Sequence, residues 1–197
     1  IQKGESSKGM RLVAVAYKDV SWSSFNEKGV DPSDSEQFLD ELVFGGFLIL
    51  HDPIRDDVSD AIQIARDANT QVIMLTGDNP ITALKIAQQA GIARKGDAVL
   101  RGTDIETMSD DQLLLALNKT KVFARVLPKQ KLRIARVLKS RGEIVAMTGD
   151  GINDAPAIRS ADIGIALGSG TEVAKEASDL VLLDDSFSII VSAIEEG

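Results

Sequence analysis

The 197-residue sequence contains no cysteine and a single histidine, His51. The first absence excludes a disulfide framework, a thiolate nucleophile and Cys-ligated zinc, and the second excludes His-rich zinc or iron sites. Long apolar runs are missing too. Leu12–Ala16, Phe47–Leu50 and Val72–Leu75 are representative, and a membrane-spanning helix needs roughly 18 residues. Positive charge is in deficit, with 22 Lys and Arg against 30 Asp and Glu and a net charge of −8, so a nucleic-acid groove is not expected. The N-terminus, Ile-Gln-Lys-Gly-Glu, has neither the apolar segment of a signal peptide nor an initiator Met, and the chain is expected to be a piece of a longer one. What is there is ordinary for a folded chain, 44% hydrophobic and 26% charged. The length suits one domain, or one domain plus part of another.

Leu12–Tyr17 reads as a strand, and the Ser-, Asn-, Gly- and Pro-bearing stretch from Lys18 to Ser35 as a long surface connection. From about Phe44 the pattern becomes regular. Phe47–Leu50 reads as a buried strand. Asp56–Ala68 places Val58, Ala61, Ile62 and Ala65 on one helical face. Strands are then expected at Val72–Leu75, Ala98–Leu100, Val122–Ala124, Ile144–Met147, Ile163–Leu167 and Leu180–Leu183. Helices are expected at Pro80–Ala90, after Ser109, at Pro128–Ser140 with Gly142 as its stop, and at Asp154–Ser160, Thr171–Ala177 and Ser186–Ile194. Repeated β-α units with continuously apolar strands predict a doubly wound α/β domain whose parallel sheet is covered on both faces. Its ligand site belongs beyond the carboxyl ends of the strands.

Unusual chemistry stands at the ends of two strands and at the opening of one helix. At Thr76-Gly77-Asp78-Asn79-Pro80 a hydroxyl and a Gly precede a helix start, a setting that favours an anionic oxygen. A plain helix cap by Asp78 or Asn79 accounts for the residues equally well. Pro128-Lys129-Gln130-Lys131-Leu132-Arg133 puts three cations into the first two turns of a helix, where cations are disfavoured by about 0.3–1 kcal/mol each. For Lys131 a bound anion and a solvated side chain both remain open, whereas Lys129 and Arg133 read as solvated. The third segment is Thr148-Gly149-Asp150-Gly151-Ile152-Asn153-Asp154-Ala155-Pro156, with two carboxylates four apart in a Gly-rich turn. Such hard oxygen ligands suit Mg²⁺ better than a simple turn requires.

These segments, with Phe123-Ala124-Arg125-Val126-Leu127-Pro128-Lys129-Gln130-Lys131, resemble the phosphorylation domain of P-type cation-transporting ATPases. That domain belongs to the haloacid dehalogenase-like superfamily. His51-Asp52-Pro53-Ile54-Arg55 is similar to the family's hinge, and the runs Gly168–Asp179 and Asp184-Asp185-Ser186-Phe187 also match. The resemblance runs from about Gly9 to Gly197 and implies a nucleotide-domain remnant with its linker at 1–45 and a partial phosphorylation domain at 46–197. It implies that Thr76, Gly77 and Asp78 contact ATP, that Lys131 neutralises the transferred phosphoryl group, and that Asp150 holds Mg²⁺. Asn153 would orient the phosphoryl group, Asp154 would support the metal shell, and Arg125 and Arg11 would lie near ATP. The implied partners are ATP and the rest of the same pump: nucleotide-binding and actuator domains and membrane helices, at the cytoplasmic face of a membrane. The helix at Ser186 would lead toward the membrane stalk.

One element of the family pattern is absent. The family phosphorylates the Asp of an Asp-Lys-Thr-Gly-Thr string, and no such string occurs here. Asn118-Lys119-Thr120-Lys121 begins with Asn and precedes a strand instead of following one. The nucleophile-bearing strand is therefore expected to be missing, and the chain by itself is expected not to turn over ATP. Two alternatives stand beside the pump fragment: a soluble phosphatase of the same superfamily using Asp52, and a non-catalytic Mg²⁺- and phosphate-binding module.

Overall fold

The structure is a computed structural model and describes residues 11–19, 40–50 and 53–196. The chain divides into two compact units, Ile1–Asp52 and Pro53–Gly197. Most of the Lys18–Ser35 connection, together with His51 and Asp52, lies outside the described residues.

The first unit is a hairpin. Strand β1 (Arg11–Tyr17) pairs antiparallel with β2 (Val43–Leu50), with a register shift between Val15 and Ala16. The expected strand at Phe47–Leu50 is present but longer, and it is not buried: Val43, Phe44, Phe47, Leu48, Ile49 and Leu50 are all exposed. A continuous apolar run implies cover on both faces, and a two-stranded ribbon supplies none from within itself. Phe44 and Phe47 meet edge to face, with ring centroids 5.1 Å apart.

The second unit alternates strands and helices, as the periodicity predicts. Helix α1 (Val58–Asp67) precedes β3 (Met74–Leu75), α2 (Pro80–Gln89) and β4 (Val99–Arg101). Then come α3 (Gly102–Thr107), α4 (Asp110–Lys119), β5 (Val122–Ala124) and α5 (Pro128–Ser140). Strand β6 (Ala146–Gly149), α6 (Ala155–Ser160), β7 (Ile163–Leu167), α7 (Glu172–Ala177), β8 (Leu180–Leu182) and α8 (Phe187–Glu196) complete it. The caps fall where side-chain chemistry puts them. Asn79 accepts from the Thr82 amide, Ser109 and Gln112 form a reciprocal capping box, and Gly142, at φ +85°, lies just past the end of α5.

All strand pairs in this unit are parallel, and the unit is α/β as expected. The strands form two three-stranded groups, ordered β3-β5-β4 and β6-β7-β8. Helices, not a strand ladder, join the groups. On the first group's side α5 packs on α6, and Lys139 reaches the Ser160 carbonyl (2.9 Å) and Asp162 (3.1 Å). Elsewhere α1 packs against α8, with Ala61, Ala65 and Val191 buried together. Strand β5 is buried throughout and β7 at its centre, but β6 and β8 are largely exposed. Cover on both faces therefore holds for β5 and the middle of β7 only. Strands β3 and β6 each end their group with one edge unpaired among the described residues.

Several apolar clusters support these groups. Phe123, Ile105, Leu113, Leu117 and Ile134 pack between β5 and helices α3, α4 and α5. Ile158, Ala166 and Ala174 pack between α6, β7 and α7.

Candidate active site

The Thr76 loop is stitched to the loop after β5. The Thr76 amide donates to the Phe123 carbonyl (2.9 Å), the Val126 amide donates to the Thr76 carbonyl (3.0 Å), and the Arg125 amide to the Asp78 carbonyl (3.1 Å). Arg125 takes a left-handed conformation (φ +53°), and its guanidinium donates to the Gly77 carbonyl at 3.3 Å. The two segments singled out at Thr76 and Phe123 thus form one continuous backbone surface. Thr76 Oγ accepts from the Asp78 amide at 3.1 Å, which leaves its own proton free to donate. Asn79, not Asp78, caps α2.

Lys131 lies one turn into α5 and crosses to the loop after β6. Its Nζ donates to Asp154 Oδ1 at 2.6 Å, with only 18% and 13% of the two side chains exposed. The second oxygen of Asp154 accepts from the Gly151 amide at 3.3 Å. Asp154 also lies flat against Gly149, where a Cβ would come within 2.5 Å of it, so only glycine admits this carboxylate. Asp150 and Asn153 are exposed in the same loop. Lys131, Asp154 and Asp150 therefore share one loop cluster at the carboxyl ends of β5 and β6, connected through the Arg125 turn to Thr76, Gly77 and Asp78. The Arg11 side chain lies outside the described residues, and His51 and Asp52 are likewise beyond description.

Lys129 stays exposed as expected, at 70%, though paired, whereas Arg133, at 30%, is drawn against its neighbours instead of being solvated. Lys129 pairs with Glu106 at 2.7 Å and holds that carboxyl below its usual range, chiefly by hydrogen bonding. Arg133 binds Asp110 (2.6 Å) and the carbonyls of Ile105 and Met108 (both 2.7 Å). Helix α3 and its C-terminal end supply Glu106 and the Ile105 and Met108 carbonyls, and α4 supplies Asp110; the sequence pattern does not mark α3.

Supporting residues that no local sequence pattern marks complete the surroundings. Gln130, only 4% exposed, accepts from the Leu127 amide (2.8 Å) and donates to the Gly102 carbonyl (2.9 Å). It fixes the turn that starts α5 and so aims Lys131. Near Pro53–Arg55, Ser186 and Ser188 donate to Asp57 Oδ2 at 2.6 and 3.0 Å. Arg55 donates to the carbonyls of Asp184 (3.2 Å) and Asp185 (3.4 Å). The two hydroxyls hold the Asp57 carboxyl below the usual range, with a smaller contribution from Arg55.

Chemically, the cluster presents hard oxygen donors and one lysine at strand ends. Asp150 fits a direct Mg²⁺ ligand, because Mg²⁺ binds through one or two carboxylates, water and substrate phosphate. Asp154, already holding Lys131 and Gly151, fits a supporting place. Among the described residues no three acidic, His or Cys side chains gather as a complete metal cage, so a metal here needs further ligands.

Parallel strands with polar side chains gathered beyond their carboxyl ends are the arrangement in which α/β domains place their ligand sites. The family model for haloacid dehalogenase-like hydrolases matches residues 12–162, and the chain belongs to that family. It is 45% identical over 98% of its length to calcium-transporting ATPase 1 of Yarrowia lipolytica, of which it covers 20%. It is 43% identical to calcium-transporting ATPase 1 of Lactococcus lactis and 44% identical to cation-transporting ATPase pma1 of Synechocystis, in each case over 98% of this chain and 21% of the relative. The chain thus spans about a fifth of the length of these relatives. No helix among the described residues is long and apolar enough to cross a membrane.

Proposed function

We propose that this chain is the larger part of the phosphorylation domain of an ATP-driven cation pump, with residues 46–197 as that domain and 1–45 as a remnant of the nucleotide-binding domain. The observation that carries the reading is the Lys131–Asp154 pair at 2.6 Å, which joins the Phe123–Lys131 motif to the Thr148–Pro156 motif at one site. The names of the relatives point to calcium as the cargo of the whole protein.

In this reading Asp150 is the direct Mg²⁺ ligand and Asp154 supports it. Bound Mg²⁺ would offset the negative charge of phosphate oxygens facing two carboxylates. Lys131, held at the site by Asp154, supplies a fixed positive charge to the transferring phosphoryl group. Thr76 donates its free hydroxyl proton to a phosphate oxygen, Asn153 orients the group, and Gly77, Asp78 and Arg125 form the nucleotide side of the site. The phosphorylated Asp belongs to a strand outside these 197 residues. The unpaired edges of β3 and β6 support its insertion between the two strand groups.

Magnesium-dependent orthophosphate binding, measured by calorimetry, tests the site. Affinity is expected to fall in Lys131→Ala, and the magnesium dependence to vanish in Asp150→Ala. Unchanged titrations in both variants would contradict the reading. The same chain is expected not to hydrolyse p-nitrophenyl phosphate, and turnover abolished by Asp52→Asn would establish the phosphatase alternative instead.

A further inference from the structure

The loop between β7 and α7 hydrogen-bonds to the Thr148–Pro156 segment through the Asp150 carbonyl oxygen. The Thr171 amide donates to it at 2.8 Å and the Thr171 hydroxyl at 3.3 Å. Gly170 closes the contact from the side. A Cβ there would stand 3.0 Å from that oxygen, 3.0 Å from the Leu167 carbonyl and 3.1 Å from Asp150 Cα. Gly170 has no left-handed φ, so the need for glycine is one of space alone.

The loop is itself anchored from behind. Asp185 Oδ1 accepts from the Ser169 amide at 3.2 Å, and Asp185 takes a left-handed conformation (φ +49°) to present it. Gly168 lies so close to the strand after it that a Cβ would be 2.6 Å from the Leu182 carbonyl. The Asp185 carbonyl is held in turn by Arg55 at 3.4 Å. A continuous set of contacts therefore runs from Arg55 through Asp185 and the Ser169–Thr171 loop to the backbone of Asp150.

We infer that Gly170 and Thr171 are positioning residues for the metal carboxylate: they fix the Asp150 backbone, and with it the direction of a side chain otherwise exposed. The inference rests on the reading of Asp150 as the Mg²⁺ ligand. A carboxylate on a Gly-flanked turn has many accessible directions, and restricting them before binding raises affinity by lowering the ordering cost. Both Asp150 neighbours are glycines, which Asp154 holds from within the loop, and the Asp150 carbonyl is held from outside it by Thr171.

The test is a Mg²⁺ titration of the full 197-residue chain, followed by the backbone amide resonances of Asp150 and Gly151, alongside thermal unfolding. Gly170→Ala leaves the α7 cap in place and is expected to weaken Mg²⁺ binding about tenfold, at a temperature where the variant remains folded. Thr171→Val is expected to weaken it as well, and Thr171→Ser to restore it. Asp150→Asn serves as the reference and is expected to abolish the titration. If Asp150→Asn abolishes binding while Gly170→Ala and Thr171→Val bind as the parent chain does, the positioning role is overturned and the metal reading stands. If Asp150→Asn or the parent chain shows no change attributable to Asp150, the metal reading falls and the positioning role falls with it.

Discussion

At the scale of single residues, the Lys131–Asp154 pair decides what the site can do. Both side chains are more than four-fifths buried, so removing one leaves the other short of water as well as of a partner. Lys131→Ala is therefore expected to cost about 1–3 kcal/mol of stability, in addition to its effect on phosphate. Urea unfolding checks this, and the double variant Lys131→Ala/Asp154→Ala is expected to lose less than the two single losses added together. Gln130 makes a parallel case. Gln130→Ala leaves the Gly102 carbonyl and the Leu127 amide without their partner and is expected to cost a similar amount. The sequence marked Lys131 because a cation early in a helix opposes local preference. It did not reveal Asp154 as partner, because 23 residues and a change of element separate them. Thr171 was hidden for the same reason: its role lies in a contact to a carbonyl 21 residues earlier, which no local pattern records.

At the scale of elements, the caps give the clearest link from sequence to structure. Asn79→Ala removes the acceptor for the Thr82 amide and is expected to destabilise by about 1 kcal/mol, with Asn79→Asp largely retaining it, as thermal unfolding would read. The helices were legible wherever a cap and an apolar face coincided, as at Asn79, Ser109 and Pro128. Helix α3 was not, since six residues are too few to show a period. Strand β2 was legible as a strand, and its exposure was not, because apolar character records a need for cover without saying what provides it. Elements are also joined by carboxylates whose pKa lies below the usual value. Asp57 is held down by the Ser186 and Ser188 hydroxyls, Asp162 by the Val145 amide and then Lys139, and Asp185 by Ser169. A depressed folded pKa contributes stability that is complete above the unfolded value, about 3.9 for Asp, and is lost as pH falls through the folded value. Stability is thus expected to fall steeply below about pH 4. In Asp57→Asn that fall is expected to be shallower, and an unchanged dependence of the urea midpoint on pH would contradict the assignment.

At the scale of the whole molecule, the second unit holds two strand groups that helices bridge and no ladder joins. The α/β class and the order of units were readable from the alternation of apolar runs and helical faces. The interruption was readable only through the motif the family pattern requires and this sequence lacks. With the unpaired edges of β3 and β6 facing no described strand, a synthetic peptide bearing Asp-Lys-Thr-Gly-Thr within an apolar strand is expected to raise the melting temperature when added in excess. A scrambled peptide of the same composition is expected not to do so. The account's central claim is that the loops at Thr76, Lys131 and Asp150 act as one site, and its most direct test is a titration with Mg²⁺ and orthophosphate followed by backbone amide resonances. The account predicts that Gly77, Asp78, Lys131, Gly151 and Asn153 shift together along one binding curve. Separate curves for the Gly77 and Gly151 loops, or shifts confined to one of them, would contradict it.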